Sequence, residues 1–380
     1  YHLGFHRLQF LLDRKLQQLV EQALLKGIQP SPHWVLILGS YKALHQYQWC
    51  GQLSLTQDLQ AVLAMQVFEP QQEHYLKTKI PILKELSDKV SSKVRDQYEE
   101  SPYPKWIDLG LILSPAPIAK VVKALKVRLA DHKIFEVEAP AILIAGCGTG
   151  QHSIDTAARF KNAKVLAIDL SLSSLAYAQR KTEAFGVQNL EYMQADLLDL
   201  GQLNKTFDII ESSGVLHHME KPMAGWKVLV SCLKVGGLMK IGLYSELARQ
   251  HIVKMREEIQ QLNTETDHIG MKRFRNGVIR SKAPHHQLII SSPDFHSMGS
   301  LQDLLFHVQE HHFTIPQIQH CLTKLGLKFC GFEVGTITQD FKRTNSGEDD
   351  AYDLIKWHTY EQAHPHAFAG MYQFWCQKVG

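Results

Sequence analysis

At 380 residues the chain exceeds one minimal domain and suits a single catalytic domain with additions. Hydrophobic residues make up 44%, charged residues 21% and aromatics 9%, which excludes both a disordered chain and a fibre. Lys and Arg number 41 against 38 Asp and Glu, a net charge of +3, so no global field draws the protein to polyanions and charge nominates no nucleic-acid partner.

No apolar run approaches the roughly 18 residues a membrane span needs, and the first residues lack the order of a signal peptide. The chain therefore reads as cytoplasmic, with no membrane partner. Six thinly spread cysteines (Cys50, Cys147, Cys232, Cys321, Cys330, Cys376) form no C-x-x-C pair, which argues for reduced thiols rather than disulfides or a structural zinc. The opening on Tyr1 rather than Met suggests a piece of a longer protein. Of the 21 histidines, 12 follow residue 250.

Taken in chain order, the first 95 residues carry helical spacing. Leu8, Leu11, Leu12, Leu16, Leu19, Val20 and Leu24 recur every three or four positions. Further stripes run over 53–67 and 76–90, with Pro30, Pro32, Pro70 and Pro81 as stops and starts. No fixed 30–50-residue period appears, so this is a helical domain and not, by itself, a repeat array. Residues 97–106 break the pattern, because Pro102 and Pro104 push their predecessors toward extended conformations. Tyr103 and Trp106 of this linker either pack it onto the next domain or overhang a ligand pocket.

From Ala141 short apolar runs alternate with helical stretches, the rhythm of a parallel sheet. Strands are predicted over 141–145, 164–168, 190–193, 207–211 and 238–243, with helices over 153–160, 173–185 and 223–233. Glycines follow the first strand, Asp169 the second and Asp196 the third. Ligands of such sheets bind beyond the carboxyl ends of the strands, so these three positions converge on one crevice. The turn Gly146-Cys147-Gly148-Thr149-Gly150 has G-x-G-x-G spacing, not the G-x-G-x-x-G that accommodates a pyrophosphate, and so suits a ligand without one. Asp169 can accept both hydroxyls of a ribose and Asp196 an adenine amine; each alone also reads as a helix cap or turn residue.

From about Tyr98 to Gly380 the sequence resembles the class I S-adenosylmethionine-dependent methyltransferases. The glycine turn, Asp169, Asp196, the run Phe207 to His218 and Val235-Gly236-Gly237 carry the likeness. The resemblance implies an α/β fold: a seven-stranded Rossmann-like sheet with its last strand antiparallel, an N-terminal helical domain and a helical insertion before strand six. It implies S-adenosyl-L-methionine as cofactor, held by Gly146, Cys147, Gly148, Thr149, Gly150, Asp169, Leu170, Asp196, Leu197 and Ser213. One position departs from the pattern: an acid usually stands two places before the first glycine, where this chain has Ile144. Backbone carbonyls or Glu211 are the substitutes available to the methionine ammonium. More narrowly, residues 97–106, 244–249, 304–311 and 371–375 resemble a bacterial group often fused to tetratricopeptide repeats, which implies such repeats upstream of Tyr1.

The resulting division is 1–95 for the helical domain, 96–244 for linker and cofactor core, 245–326 for the insertion and 327–380 for the closing strands, predicted at 327–334 and 371–379. No Asp/Asn-Pro-Pro-Tyr/Phe follows the fourth strand, and no cysteine adjoins a proline. This disfavours transfer to a planar amide or base amine and the covalent route to pyrimidine carbons. The basic run Lys272-Arg273-Phe274-Arg275 reads as a solvated face rather than a phosphate or nucleic-acid contact, since no net charge supports the latter.

Within the insertion, Ser300-Leu301-Gln302-Asp303 reads as a capping box opening a helix that carries His307, Glu310 and His311 on one shoulder. His-x-x-Glu-His is also an inverted zinc-peptidase pattern. With no third ligand identifiable, these residues are expected without metal, as a general base or substrate anchor or as structural histidines. His217 joins them as a catalytic candidate after the fourth strand, with His218, Tyr103, Trp106 and Tyr244 as substrate-binding residues. The reading is a methyltransferase acting on an oxygen or nitrogen nucleophile of a small molecule or protein side chain. A non-catalytic partner-binding module on the same scaffold is the alternative, and a nicotinamide dehydrogenase suffers from the glycine spacing.

Overall fold

A computed structural model describes residues 2–333 and 335–380, and side chains of the first helix from Arg14 onward. The side chains of Leu8, Leu11 and Leu12 of the N-terminal stripe thus lie outside the description, as does Val334 at the end of the expected sixth strand.

Tyr1–Lys79 and Ile80–Gly380 are two compact units. The first holds α1 (His2–Leu25), α2 (Pro32–Tyr41), α3 (Gln60–Leu63) and α4 (Glu69–Lys77), with a π-helical turn over Ala64–Phe68. Its core gathers Val20, Val35, Leu38, Leu44, Leu63 and Val67. The stripe expected over 76–90 is not one helix. After Lys77 the chain extends, and Ile82 bridges Gln194: the Leu83 amide donates to the Gln194 carbonyl and the Gln194 amide to that of Pro81, each at 2.9 Å. This stretch therefore lies in the second unit.

The second unit continues with α5 (Lys89–Glu100) and α6 (Ile118–Ala124), then β1 (Ala141–Ala145), α7 (Gln151–Arg159), β2 (Lys164–Asp169), α8 (Leu172–Ala184), β3 (Leu190–Gln194) and β4 (Phe207–Ser213). It goes on through α9 (Pro222–Cys232), β5 (Leu233–Leu243), α10 (Gln250–Gln261), α11 (His268–Arg280), α12 (Pro284–Ile290) and α13 (Met298–Phe306). It closes with α14 (Ile315–Lys324), β6 (Leu327–Phe332), α15 (Thr336–Thr344), α16 (Leu354–Ala363) and β7 (Tyr372–Lys378). All seven strands form one sheet in the order β3-β2-β1-β4-β5-β7-β6, with only β7 antiparallel to its neighbours. This is the class I methyltransferase architecture expected from the sequence.

The central strand β1 and residues 165–168 of β2 read as unbroken apolar runs, as parallel strands covered on both faces do. Ile142, Leu143, Ile144 and Ala145 are all buried, as are Trp226, Trp357, Phe374 and Phe341 in the helical layers and β7. Each such large side chain contributes on the order of 1.5–3 kcal/mol on burial. The insertion has a core of its own, in which Ile252, Met255, Phe274, Ile289, Leu301 and Leu305 bring α10 to α13 together.

Candidate active site

The strand order turns scattered residues into a line. Asp196 follows β3, Asp169 ends β2, the glycine turn follows β1, Ser213 ends β4 and Tyr244 follows β5, so these positions lie in that order along the carboxyl ends. One cavity of about 840 Å³ passes over all of them. The glycine turn forms its floor by a conformation side chains resist. Gly146 and Gly148 have φ of +78° and +51°, and a Cβ at Gly146 would stand 2.1 Å from Val215 Cγ2. The Gly148 amide donates to Asp169 Oδ2 at 2.8 Å and the Ser171 amide to Oδ1 at 3.0 Å, which aims the carboxylate at the turn. Burial raises the Asp169 pKa above the ordinary carboxylate value, with the amides of Ser171 and Gly148 pulling the other way. The Asp196 carboxylate accepts from the Leu198 amide at 2.9 Å, so it is both a cap and part of the wall.

Of the cofactor residues named from the sequence, Gly146, Cys147, Gly148, Asp169, Leu170, Asp196, Leu197 and Ser213 line the cavity. Gly150 and Thr149 lie behind it: Gly150 caps α7, and Thr149 accepts from the Trp106 indole at 3.2 Å. The indole is stacked against Phe185, so Trp106 fastens the linker to the core rather than lining the cavity. Tyr103 does line it, and its hydroxyl donates to Asp294 at 3.2 Å.

Ile144 is paired in register with Glu211 on β4, and Glu211 with Lys240 on β5. Glu211 is fully buried; its carboxylate accepts from His152 and, at 3.1 Å, from Thr156, with Arg159 at 3.5 Å. Burial alone would raise its pKa, yet His152, Arg159 and Lys240 hold it down to about 2. It is occupied by these partners and does not reach the cavity, whose wall there presents His152, Asp155 and Lys240.

The far end of the cavity is built by α5 and the insertion. The helix expected to run from Ser300 through His311 is shorter and shifted. Ser297 caps it, accepting from the Ser300 amide at 3.1 Å, and it ends at Phe306, so His307, Glu310 and His311 leave on an irregular segment. The pattern thus cannot act as a helical zinc motif. The Glu310 side chain is shielded from solvent and takes Arg249 through two bonds of 3.0 Å and His312 at 2.6 Å. Burial would raise its pKa, but His312, Arg249 and Arg256 bring it down to about 2. The guanidinium of Arg249 lies 3.6 Å above the Tyr244 ring, and Tyr244 stacks on His217 at 3.8 Å. His217 is fully buried, and burial presses its pKa well below the usual imidazole value. His307 stacks on His218 at 3.6 Å; burial and Arg256 lower its pKa to about 4. His311 bonds Gln309 at 3.1 Å.

None of His217, His307, Glu310 and His311 lines the cavity, whereas His218 and Tyr244 do. His218 donates its Nδ1 proton to the Gln309 carbonyl at 2.7 Å, which leaves Nε2 as the unprotonated nitrogen of the neutral ring. Burial also holds the His218 pKa well below its usual value.

The residue that sequence reasoning passed over is Asp303. It lines the cavity, is nine-tenths buried and accepts a 2.5 Å bond from the Tyr98 hydroxyl. Burial raises its pKa to about 6, the Tyr98 bond opposes, and the nearby Glu310 charge adds to the rise. As the fourth residue of an apparent capping box it reads as a helix-end acid; only its meeting with Tyr98, 205 positions earlier, reveals it.

Residues 142–237 match the model of the methyltransferase domain family. The core thus carries a methyltransferase domain on the class I fold. The chain is similar to an uncharacterized protein of Synechococcus, 32% identical over 58% of this chain and 56% of that one. It is also similar to the malonyl-[acyl-carrier protein] O-methyltransferase of Halalkalibacterium halodurans, 25% identical over 53% and 72%. Among solved structures, PKMT2 of Rickettsia typhi in complex with AdoHcy shares the fold, with a TM-score of 0.52 and 16% identity over 73% of this chain and 55% of that one. The chain thus spans about half the length of the Synechococcus and Rickettsia proteins. Among the described residues no helix is long and apolar enough to cross a membrane.

Proposed function

We propose that the chain as a whole transfers a methyl group from S-adenosylmethionine to an oxygen or nitrogen nucleophile of a small molecule or a protein side chain, with Asp303 as the general base. The observation that carries this reading is the continuity of one cavity from Asp196, Asp169 and the glycine turn to Asp303, Tyr98, Tyr244 and His218. An elongated cofactor laid across the strand ends fits that line. Its adenine would meet Asp196, its ribose Asp169, and its amino-acid end the wall that His152, Asp155 and Lys240 provide. Bound there, the cofactor supplies an electrophilic methyl on a sulfonium.

The remaining work falls to the chain. In-line transfer needs a positioned nucleophile and, for a hydroxyl or an ammonium, a group that takes its proton. Asp303 suits that task, because a carboxylate with a pKa of about 6 is ionised at neutral pH yet basic enough to accept a proton. Tyr98 holds one carboxylate oxygen and leaves the other for substrate. His218 offers Nε2 as an acceptor that orients the nucleophile, and Tyr244, held under Arg249 by Glu310, forms an aromatic wall. Leu109, Leu111 and Ile112 of the linker add apolar cover, which limits water and favours a small molecule or one extended side chain over a duplex. The name of the Halalkalibacterium relative, an O-methyltransferase, makes oxygen the first nucleophile to test.

The test offers full-length protein and labelled S-adenosylmethionine to the small-molecule and protein fractions of a cell extract separately. Label transferred by the wild type and lost with Asp303→Asn supports the reading. Failure to bind S-adenosylhomocysteine in calorimetry would remove it, and binding without transfer to either fraction would favour a non-catalytic module.

A further inference from the structure

A second group of chemistry-bearing side chains lies in the insertion, outside the cavity described above. Glu258 of α10 receives both histidines of the consecutive pair on α12: His285 Nε2 stands 2.5 Å from Oε1 and His286 Nε2 stands 2.7 Å from Oε2. Consecutive helical residues point about 100° apart, so their rings ordinarily diverge. Here the rings converge, with centroids 4.4 Å apart, and both present the same nitrogen to one carboxylate. The donor atoms of the three residues all lie within 4.8 Å of one another, and no other trio of His, Cys, Asp or Glu among the described residues meets that condition.

We propose that Glu258, His285 and His286 bind one divalent transition-metal ion of the zinc class. Two imidazoles and a carboxylate, with bonds of about 2.0–2.2 Å, match the donor set of three-ligand zinc sites that keep a further position open. Imidazole donors also select against magnesium and calcium, which prefer all-oxygen shells. The three side chains are neither sealed nor free: they are 23%, 13% and 32% exposed for His285, His286 and Glu258, so an ion can enter. Both Nε2 atoms ligate with their protons moved to Nδ1, and in His286 that second nitrogen is buried with no protein partner. Glu258 and His286 also line a separate cavity of about 500 Å³, which leaves room for water at the open coordination position.

The ion would clip α10 to α12 within the core shared by α11 and α13, bracing the helix that carries Asp303. The site is independent of methyl transfer, and its test reads metal rather than turnover. Full-length protein is stripped with a chelator and titrated with Zn²⁺ against a chromophoric competitor. The expected result is one ion per chain and a rise in melting temperature. Cobalt(II) should give the visible bands of a four- or five-coordinate ion. Glu258→Gln and the His285→Gln/His286→Gln pair should each weaken uptake at least about tenfold. His364→Gln/His366→Gln should not, which controls for the other histidines. Glu258→Gln keeps a hydrogen-bond acceptor for one ring, so a metal-free melt like that of metal-free wild type shows that it folds. No stoichiometric uptake, or uptake unchanged in a folded Glu258→Gln protein, overturns the proposal.

Discussion

The two ends of the cavity are built by different means. The end at β1 to β3 is assembled from backbone: a glycine turn, and two acids aimed by amides two residues on or in the turn of a neighbouring strand. The end under the insertion is assembled from side chains meeting over long separations, Tyr98 with Asp303 and Arg249 with Glu310. Local construction resists distant mutation, whereas the second end depends on several helices packing correctly. The difference implies that cofactor affinity and turnover can be separated by substitution.

The largest expected effect tests that separation directly. Asp303→Asn should lower turnover by roughly 10²–10⁴, the usual contribution of a general base, while S-adenosylhomocysteine affinity stays within about twofold. Parallel loss of both, read by product formation and calorimetry, would mean the two ends are one unit.

Removing Glu310 strains the insertion end alone. Glu310→Ala leaves the buried Arg249 guanidinium without its carboxylate and should cost about 3–5 kcal/mol of unfolding free energy, measured by denaturant titration. The pH dependence has a definite sign. The Glu310 pKa is lowered in the folded state, so its contribution is complete above the unfolded value near 4.5 and is lost as pH falls toward about 2; the variant should lack that acid-dependent loss.

At the other end, Asp169→Ala should weaken S-adenosylmethionine binding by about 10- to 100-fold, since charge-assisted bonds contribute roughly 1.5–3 kcal/mol each. Unchanged affinity in calorimetry would reject the ribose assignment. A gentler probe is the acid limb of kcat/KM. A base that acts as the anion of Asp303 makes the rate fall as pH drops through about 6, and the Asp303→Asn profile should lose that limb. The smallest effect is expected of His307→Ala. Its ring supports His218 from outside the cavity, so turnover should change only by a few-fold; a loss of 10² or more would return the base assignment to the histidines.

Much of the core was legible before the fold. The strands of 141–145 and 164–168, the G-x-G-x-G turn and the acids after β2 and β3 follow from local pattern, because a buried parallel strand must be apolar and a turn of positive φ favours glycine. Ile144 was visible as a departure. Its neighbour Glu211 is an acid in register beside it, but the contacts with His152, Thr156 and Arg159 that withhold it from the cavity lie across a helix–sheet interface.

What the sequence by itself determined is the periodicity: where strands and helices run, and which backbone turns can face a cofactor. What only the tertiary structure decided is which polar groups meet. Spacing placed His307 and His311 on one helical face, yet α13 stops at Phe306 and both leave on an irregular segment. Asp303 carried no mark until Tyr98 came within 2.5 Å, and Glu258 none until two histidines closed on it. The physical reason is that periodicity is a property of neighbours along the chain, enforced by backbone geometry. A pKa or a ligand set belongs to neighbours in space, and burial and partners supply it only after the helices of the insertion have packed.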